Sequence, residues 1–200
     1  MSNWIQTYTG KAFYPLAPRI EDLDIVDIAH SLAMQCRYVG HVNRFYSVAE
    51  HSVRVSRKVE AIAESINWTE ECRIEVMKWA LVHDASEAYL GDMSYPLKME
   101  PEMKVYRLAE AHLMRFIAAW LGLDSAEPAL VSDVDHDILG TEARQLKAPV
   151  RKDWLGGRMP AEWPSCTLGW SPEVAERNFL QRFHRLWGSV SNYTTAKGHR

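Results

Sequence analysis

A short stretch of the sequence concentrates side chains that can bind a metal ion or transfer a proton. LVHDASEAYLGD, residues 81–92, contains His83, Asp84, Glu87 and Asp92. On a helix, positions 83, 84 and 87 fall on neighbouring ridges, because side chains three and four residues apart share a face. The preceding EVMKWALV is largely apolar, and burying a His, an Asp and a Glu without partners is costly. The cluster therefore indicates either a metal ion or a network of ion pairs.

Two other predicted helices each place one potential ligand on an inward face. His51 lies on the apolar side of the helix predicted over 47–66, and Asp135 lies among the apolar positions of 129–147. Two imidazoles and two carboxylates suit a divalent transition metal, Mn²⁺, Fe²⁺, Co²⁺, Ni²⁺ or Zn²⁺, with positions left for water. Alternatively, the adjacent His-Asp pair is a structural ion pair, and the other two side chains are satisfied by backbone groups.

The hydrophobic periodicity predicts which elements position these residues. Apolar residues recur at helical spacing in the stretches 24–36, 47–66, 69 to a stop near Gly91, 102–122, 129–147 and 171–187. Ser47 and Glu50 have capping-box spacing, and Asp24, Thr69 and Ser171 are further candidate N-caps. TYTGK predicts a small N-terminal hairpin, Pro96 and Pro101 bracket a loop, and the Gly- and Pro-rich segment 147–170 predicts a long loop. The expected fold is all-α, a bundle of five or more helices.

Length and composition fit one ordinary globular domain. The chain has 200 residues, a net charge of −3 and a pI near 6.2, so it lacks the basic footprint of a duplex nucleic-acid binder. Three widely spaced cysteines without a CxxC pair indicate neither a disulfide framework nor a thiolate zinc site. No leader segment or apolar run of about 18 residues is present, so we expect no membrane association. We expect a single domain over 1–190 and a flexible tail over 191–200.

Three motifs in order resemble a known signature. EHS (50–52), HDASE (83–87) and VDHDILGTEAR (134–144) resemble the H…HD…D pattern of the HD-domain phosphohydrolase superfamily, across most of the chain. The similarity is greatest to bacterial 5'-deoxynucleotidases and phage dATP triphosphohydrolases. An HD dipeptide alone is a weak signal, whereas the full set of spacings is specific. The resemblance implies an HD-type helical bundle with four ligands of a divalent metal ion: His51, His83, Asp84 and Asp135.

The resemblance also implies roles around the metal. Glu87 matches the family's general acid/base residue, and Asp92 matches a second acid that places water or the sugar. Arg37 lies near the position of a phosphate-binding Arg, within one residue. An alternative for Glu87 is a solvated surface carboxylate.

Other side chains are candidates for substrate contacts because of their type and position. His41 and Arg44 accompany Arg37 before the first ligand helix, and Lys98 is a candidate for a β- or γ-phosphate. Tyr38, Tyr95 and Pro96 are candidates for the sugar and base walls. The ordinary alternatives are a loop cap for His41, an exposed side chain for Lys98 and core packing for the aromatic residues.

We therefore expect a metal-dependent hydrolase that removes phosphate from a deoxynucleotide. The opening TYTGKAFYPLAPR resembles phage-type relatives and favours dATP, with release of triphosphate. Alternatives are a 5'-deoxynucleotidase acting on dNMPs, an HD phosphodiesterase and a non-catalytic metal-binding helical module. The histidines outside the motifs do not form the longer multi-metal set that a phosphodiesterase would favour, and the presence of Glu87 disfavours a binding module. The family also implies a homo-oligomer, a dimer or higher. The cysteine usage favours a reducing compartment, so we expect a location in the cytoplasm, or in the host cytoplasm if the protein is phage-encoded.

Overall fold

The computed structural model describes residues 3–124, 126–151, 154 and 167–194, and within them the fold is all-α with a small hairpin. The helices are α1 (Ile25–Met34), α2 (Val48–Glu64), α3 (Glu70–Val82), α4 (Glu87–Leu90), α5 (Tyr95–Lys98), α6 (Lys104–Leu121), α7 (Ala129–Leu146) and α8 (Pro172–Trp187). The strands β1 (Ile5–Gln6) and β2 (Ala12–Phe13) are antiparallel, with Ile5 opposite Phe13. Short 3-10 turns lie at Ile20–Asp22, Arg37–Gly40, Pro101–Met103 and Val190–Tyr193. The predicted fold class is confirmed.

Local capping chemistry explains where four of the long helices begin. Each capping side chain accepts a hydrogen bond from a main-chain N–H of the first turn, which satisfies a donor that the helix itself leaves unpaired. These caps are Asp24 for α1, Ser47 for α2, Thr69 for α3 and Ser171 for α8. The starts predicted from the sequence therefore coincide with the observed ones to within one residue.

Helix α2 is the centre of the bundle. It packs against α1, α3, α7 and α8, and its buried residues cover more than one face of the helix, including Val53, Val55 and Val59. A helix that is buried on more than one face must be surrounded by other helices. This position buries His51 completely and directs it toward α7 and the end of α3.

The helix predicted from residue 69 to Gly91 is wrong in one respect, because the structure interrupts it. Helix α3 ends at Val82, residues 83–86 form turns, and α4 adds a single helical turn before Gly91, whose φ is +85°. Main-chain bonds that span three residues close the break: Ala85 N–H donates to Val82 O at 2.9 Å, and Glu87 N–H donates to Asp84 O at 3.0 Å. Such bonds tighten the chain relative to an α-helix. The break therefore changes the directions of Asp84 and Glu87 from those of a continuous helix. The predicted loop between Pro96 and Pro101 also contains part of a short helix, α5.

The predicted capping box forms only by half. Ser47 Oγ accepts from Glu50 N–H at 3.0 Å, but the Glu50 carboxylate is used elsewhere. It accepts from Trp170 N–H at 2.6 Å and Gly169 N–H at 3.1 Å, and it pairs with Arg54 at 2.6 Å. A fully buried carboxylate gains more from a charged partner and two N–H donors than from one helix-terminal N–H. Glu50 thereby fastens the segment before α8 to the central helix.

The segment between α7 and α8 and the segment after α8 are described only in part. Most of the predicted loop over 147–170 lies outside the described residues, as do residues 195–200 of the predicted tail. The described part of that tail, residues 191–194, includes most of the 3-10 turn Val190–Tyr193. The Tyr193 ring lies 5.7 Å from the ring of Trp120 and 5.3 Å from the ring of Phe183. The single-domain boundary stays a prediction. Within the described residues, no helix combines the length and apolarity needed to cross a bilayer.

Replacing Glu50 with Ala should destabilise the fold strongly. The variant leaves the Arg54 guanidinium, only 5% exposed, without its carboxylate, and it removes the acceptor of two main-chain N–H groups. Removing one partner of a buried ion pair costs about 3–5 kcal/mol, measurable by urea denaturation. The control is Glu64→Ala at the exposed end of the same helix, which should change the free energy of unfolding by less than about 0.5 kcal/mol. Equal effects of the two substitutions would contradict the anchoring role of Glu50.

Candidate metal centre

The four predicted ligands converge from three parts of the fold. His51 comes from the first half of α2, His83 caps the end of α3, Asp84 follows it in the turn, and Asp135 lies on α7. His51 Nε2 is 2.9 Å from Asp135 Oδ1 and 3.8 Å from Asp84 Oδ2, and His83 Nε2 is 3.3 Å from Asp84 Oδ2. Ligand atoms of His51, His83 and Asp84 lie within 4.8 Å of one another.

Both imidazoles direct their Nε2 atoms toward the same carboxylates. His51 Nδ1 contacts Glu142 Oε1 at 2.7 Å and His83 Nδ1 contacts Ala80 O at 3.1 Å, while both Nε2 atoms are buried without an aligned hydrogen-bond partner among the described residues. An Nδ1–H held by an oxygen leaves the Nε2 lone pair for a metal. Two ligands about 2.1 Å from one ion and at right angles are about 3 Å apart, similar to the His51 and Asp135 contact. The donor set therefore fits a divalent transition ion, of undetermined identity.

Glu142 is a site residue to which the sequence analysis assigned no role. It is fully buried on α7, and it accepts hydrogen bonds from His51 Nδ1, from Tyr46 OH at 2.8 Å and from Tyr38 OH. Although burial raises the pKa of this carboxyl, Arg37 and His51 lower it to about 2. Glu142 is therefore ionised, and it fixes the ring of His51. The sequence could have indicated this role, because Glu142 follows Asp135 by seven residues, which places both side chains on one face of α7.

A pair of acids lies beside the ligand cluster. Glu87 is 5% exposed and its Oε2 has no hydrogen-bond partner among the described residues, while Oε1 is 4.0 Å from Lys98 Nζ. Burial, followed by the nearby charges of Asp84 and Asp92, raises the pKa of Glu87 far above its usual range. Burial and Asp84 also raise the pKa of Asp92. A carboxyl group that keeps its proton near neutral pH can act as a general acid.

Arg37 places a permanent positive charge next to the ligands. Its Nη1 is 3.3 Å from Asp84 Oδ2, its Nε is 3.7 Å from Glu142 Oε2, and its side chain is 13% exposed. Burial lowers the pKa of Arg37, but the charge of Glu142 raises it well above the usual value. The following Tyr38 and Val39 have φ values of 60° and 55°, a conformation that is uncommon outside glycine. The bond from Tyr38 OH to Glu142 helps to hold this turn and ties it to α7.

The other candidate substrate residues are less closely tied to the cluster. Lys98 Nζ bonds to Glu110 Oε1 at 2.7 Å, so its charge is already paired. Tyr95 is 72% exposed, and Pro96 and His41 are also exposed, so none of these three forms part of the buried cluster in the described structure. Arg44 contacts its neighbour Asn43 and the main-chain oxygen of Leu168, which gives it a local structural contact.

Comparison with known proteins agrees with the fold and the cluster. A family model described as HD domain matches residues 31–130. The chain is 34% identical over 187 residues to the uncharacterized protein YfdR of Escherichia coli (strain K12), covering 92% of this chain and 96% of that protein. It is 38% identical over 178 residues to an uncharacterized protein of Rhodobacter capsulatus, covering 88% of this chain and 79% of that protein.

The all-α bundle and its His/Asp cluster define a helical domain with a possible metal-binding site. The chain belongs to the HD-domain family, as its motifs predicted. HD domains are generally metal-dependent hydrolases.

Substituting Glu142 with Gln should weaken metal binding without removing a ligand. The glutamine keeps the volume but removes the charge that orients His51 and makes its Nε2 more basic. Loss of such a partner typically lowers metal affinity about 10–100-fold, measurable by calorimetric titration with Mn²⁺ or Co²⁺. Asp137→Asn, at a half-exposed carboxylate of the same helix that pairs with Lys58, is the control and should bind like the wild type. Unchanged affinity in the Glu142 variant would contradict the orienting role.

Metal binding at pH 7 should release about one proton per ion. Burial and Arg37 lower the pKa of His51, but Glu142 and Asp135 raise it, to about 9 overall. The metal-free imidazole is therefore protonated at pH 7, and it must lose that proton before Nε2 can bind an ion. Metal affinity should accordingly increase with pH up to about 9. Titration in a weakly buffered solution with a pH indicator measures the release, and a constant pH would contradict ligation by His51.

Proposed function

We propose that this protein is a divalent-metal-dependent phosphohydrolase that acts on deoxynucleotides. One observation carries the proposal: two buried Nε2 atoms converge with the carboxylates of Asp84 and Asp135, next to the cation Arg37 and the buried acid Glu87. A structural ion-pair cluster would pair its polar atoms internally and would need no buried acid without a hydrogen-bond partner at its edge. The combination suits the hydrolysis of a phosphate ester.

Each of these side chains would have a distinct role in such a reaction. A divalent ion bound by the four ligands would polarise the phosphoryl oxygens and lower the pKa of a water molecule. The Arg37 guanidinium can donate to a phosphoryl oxygen and balance its charge. As the water oxygen bonds to phosphorus and the bond from phosphorus to the sugar oxygen breaks, a protonated Glu87 can give its proton to that sugar oxygen. Asp92 can hold water or a sugar hydroxyl, and the Tyr38 ring can contact the sugar.

Two substrates fit this reaction. The resemblance of the N-terminal segment favours dATP, which would yield deoxyadenosine and triphosphate. The pairing of Lys98 with Glu110 at 2.7 Å favours a 5'-deoxynucleoside monophosphate instead, because one phosphoryl group needs fewer cationic partners than three. In either case Arg37 contacts the phosphoryl group at the metal.

Product analysis tests the proposal and separates the substrates. Purified protein with Mn²⁺ or Co²⁺ is incubated with deoxynucleoside mono- and triphosphates, and the products are separated by ion-exchange chromatography. Deoxyadenosine with intact triphosphate supports the first substrate, and phosphate released only from monophosphates supports the second. Glu87→Gln should lower turnover at least about 100-fold and retain metal binding, whereas Glu102→Gln at an exposed position should behave like the wild type. If none of these nucleotides is hydrolysed, the proposal is overturned.

A further inference from the structure

The segment that carries Glu87 and Asp92 has little regular structure of its own. Helix α4 is a single turn of four residues, and a helix this short is unstable without outside contacts. Main-chain bonds close successive turns as far as Gly91, whose N–H donates to Glu87 O at 2.8 Å, but residues 91–94, which include Asp92, belong to no helix or strand. The position of this segment beside the metal ligands therefore depends on contacts with residues elsewhere in the fold.

The Gln35 side chain, just after the end of α1, binds both ends of this segment. Its Nε2 donates to the main-chain oxygen of Glu87 at 3.0 Å, and its Oε1 accepts from Asp92 N–H at 2.9 Å. One turn earlier on α1, Ser31 Oγ donates to Ala88 O at 2.7 Å. A single amide thus satisfies one carbonyl and one N–H that lie five residues apart, at the two residues that supply the acids.

Neighbouring groups fix the orientation of the Gln35 amide. Its Nε2 lies 3.1 Å from Ser31 Oγ and 3.3 Å from Ser31 O. The opposite orientation would place the NH₂ group against the N–H of Asp92 and the amide oxygen against two carbonyl oxygens. Only one orientation therefore satisfies every partner, and the amide is held ready to bind the segment.

The main chain of Gln35 joins the same segment to a metal-ligand helix. Its carbonyl oxygen accepts from Val48 N–H at 3.2 Å, at the start of α2 and three residues before His51. On the far side of the segment, Tyr106 OH donates to Gly91 O at 2.7 Å. Gln35 thus connects the beginning of the helix that carries His51 with the turn that carries both acids.

We infer that Gln35 is a positioning residue that holds the Glu87 and Asp92 carboxylates in place beside the metal ligands. It acts through the main chain of the segment and makes no contact with substrate. The inference rests on the proposed function for its effect on turnover, whereas its effect on the segment is measurable in the protein without substrate.

Gln35→Leu tests the inference, because leucine has a comparable size and no amide. Its control is Met34→Ala, at the adjacent residue, which is 58% exposed. Amide exchange followed by NMR should be about 10-fold faster at Asp92 in the leucine variant, since the variant loses the acceptor of the Asp92 N–H. Exchange at His51 and the affinity for Mn²⁺ should stay within about 2-fold of wild type. The kcat should fall about 10-fold with KM nearly unchanged, and Met34→Ala should leave all five quantities unchanged.

The outcomes separate this inference from the proposed function. Unchanged exchange at Asp92 overturns the inference, as does faster exchange with an unchanged kcat. A higher KM with a normal kcat would also overturn it, because that pattern belongs to a substrate contact. Lack of hydrolysis by the wild-type protein overturns the proposed function alone, and amide exchange then decides whether Gln35 holds the segment. If the leucine variant does not fold, Gln35→Glu is measured instead. This variant keeps the acceptor for Asp92 N–H and loses the donor to Glu87 O, so its kcat should fall by less than about 10-fold from the wild-type value.

Discussion

The hydrogen bond between His51 and Glu142 is the interaction on which the rest of the site depends. Both residues are fully buried, so the imidazole and the carboxylate must satisfy each other and their neighbours inside the bundle. Arg37 and the hydroxyls of Tyr38 and Tyr46 complete the surroundings of Glu142. Helices α2 and α7 and the turn after α1 are therefore fixed relative to one another by charge as well as by apolar packing.

The same site carries an excess of negative charge that the fold does not neutralise by itself. Asp84, Glu87, Asp92 and Asp135 lie near one another, and the raised pKa values of Glu87 and Asp92 reflect burial and this repulsion. Arg37 supplies a single buried positive charge, and a proton on His51 supplies another when no ion is bound. A divalent cation is a better partner for these carboxylates than two protons, because it contacts several ligands at once. Metal binding and the acid/base character of Glu87 are thus parts of one charge balance.

Local sequence signals predicted the helix starts, because N-caps and apolar periodicity act over a few residues, whereas the ligand set stays a prediction. Asp24, Ser47, Thr69 and Ser171 cap helices as predicted. The break after Val82 was not predicted, because no Gly or Pro marks it and the short-range main-chain bonds that close it leave no sign in the pattern of apolar residues. The roles of Glu142 and Gln35 were missed for a different reason: each depends on burial and on partners 52 to 104 positions away. The expectations for Tyr95 and Pro96 followed from closeness in sequence, which does not determine side-chain exposure. The predicted homo-oligomer and cytoplasmic location stay predictions.

We propose that His51, His83, Asp84 and Asp135 bind one divalent ion together. Crystals of the wild-type protein grown with Mn²⁺ or Co²⁺, and measured near the absorption edge of that metal, would locate the ion. We expect an anomalous peak about 2.0–2.3 Å from His51 Nε2, His83 Nε2 and an oxygen of each aspartate. A peak located away from these atoms, or the absence of any anomalous peak, would contradict this proposal.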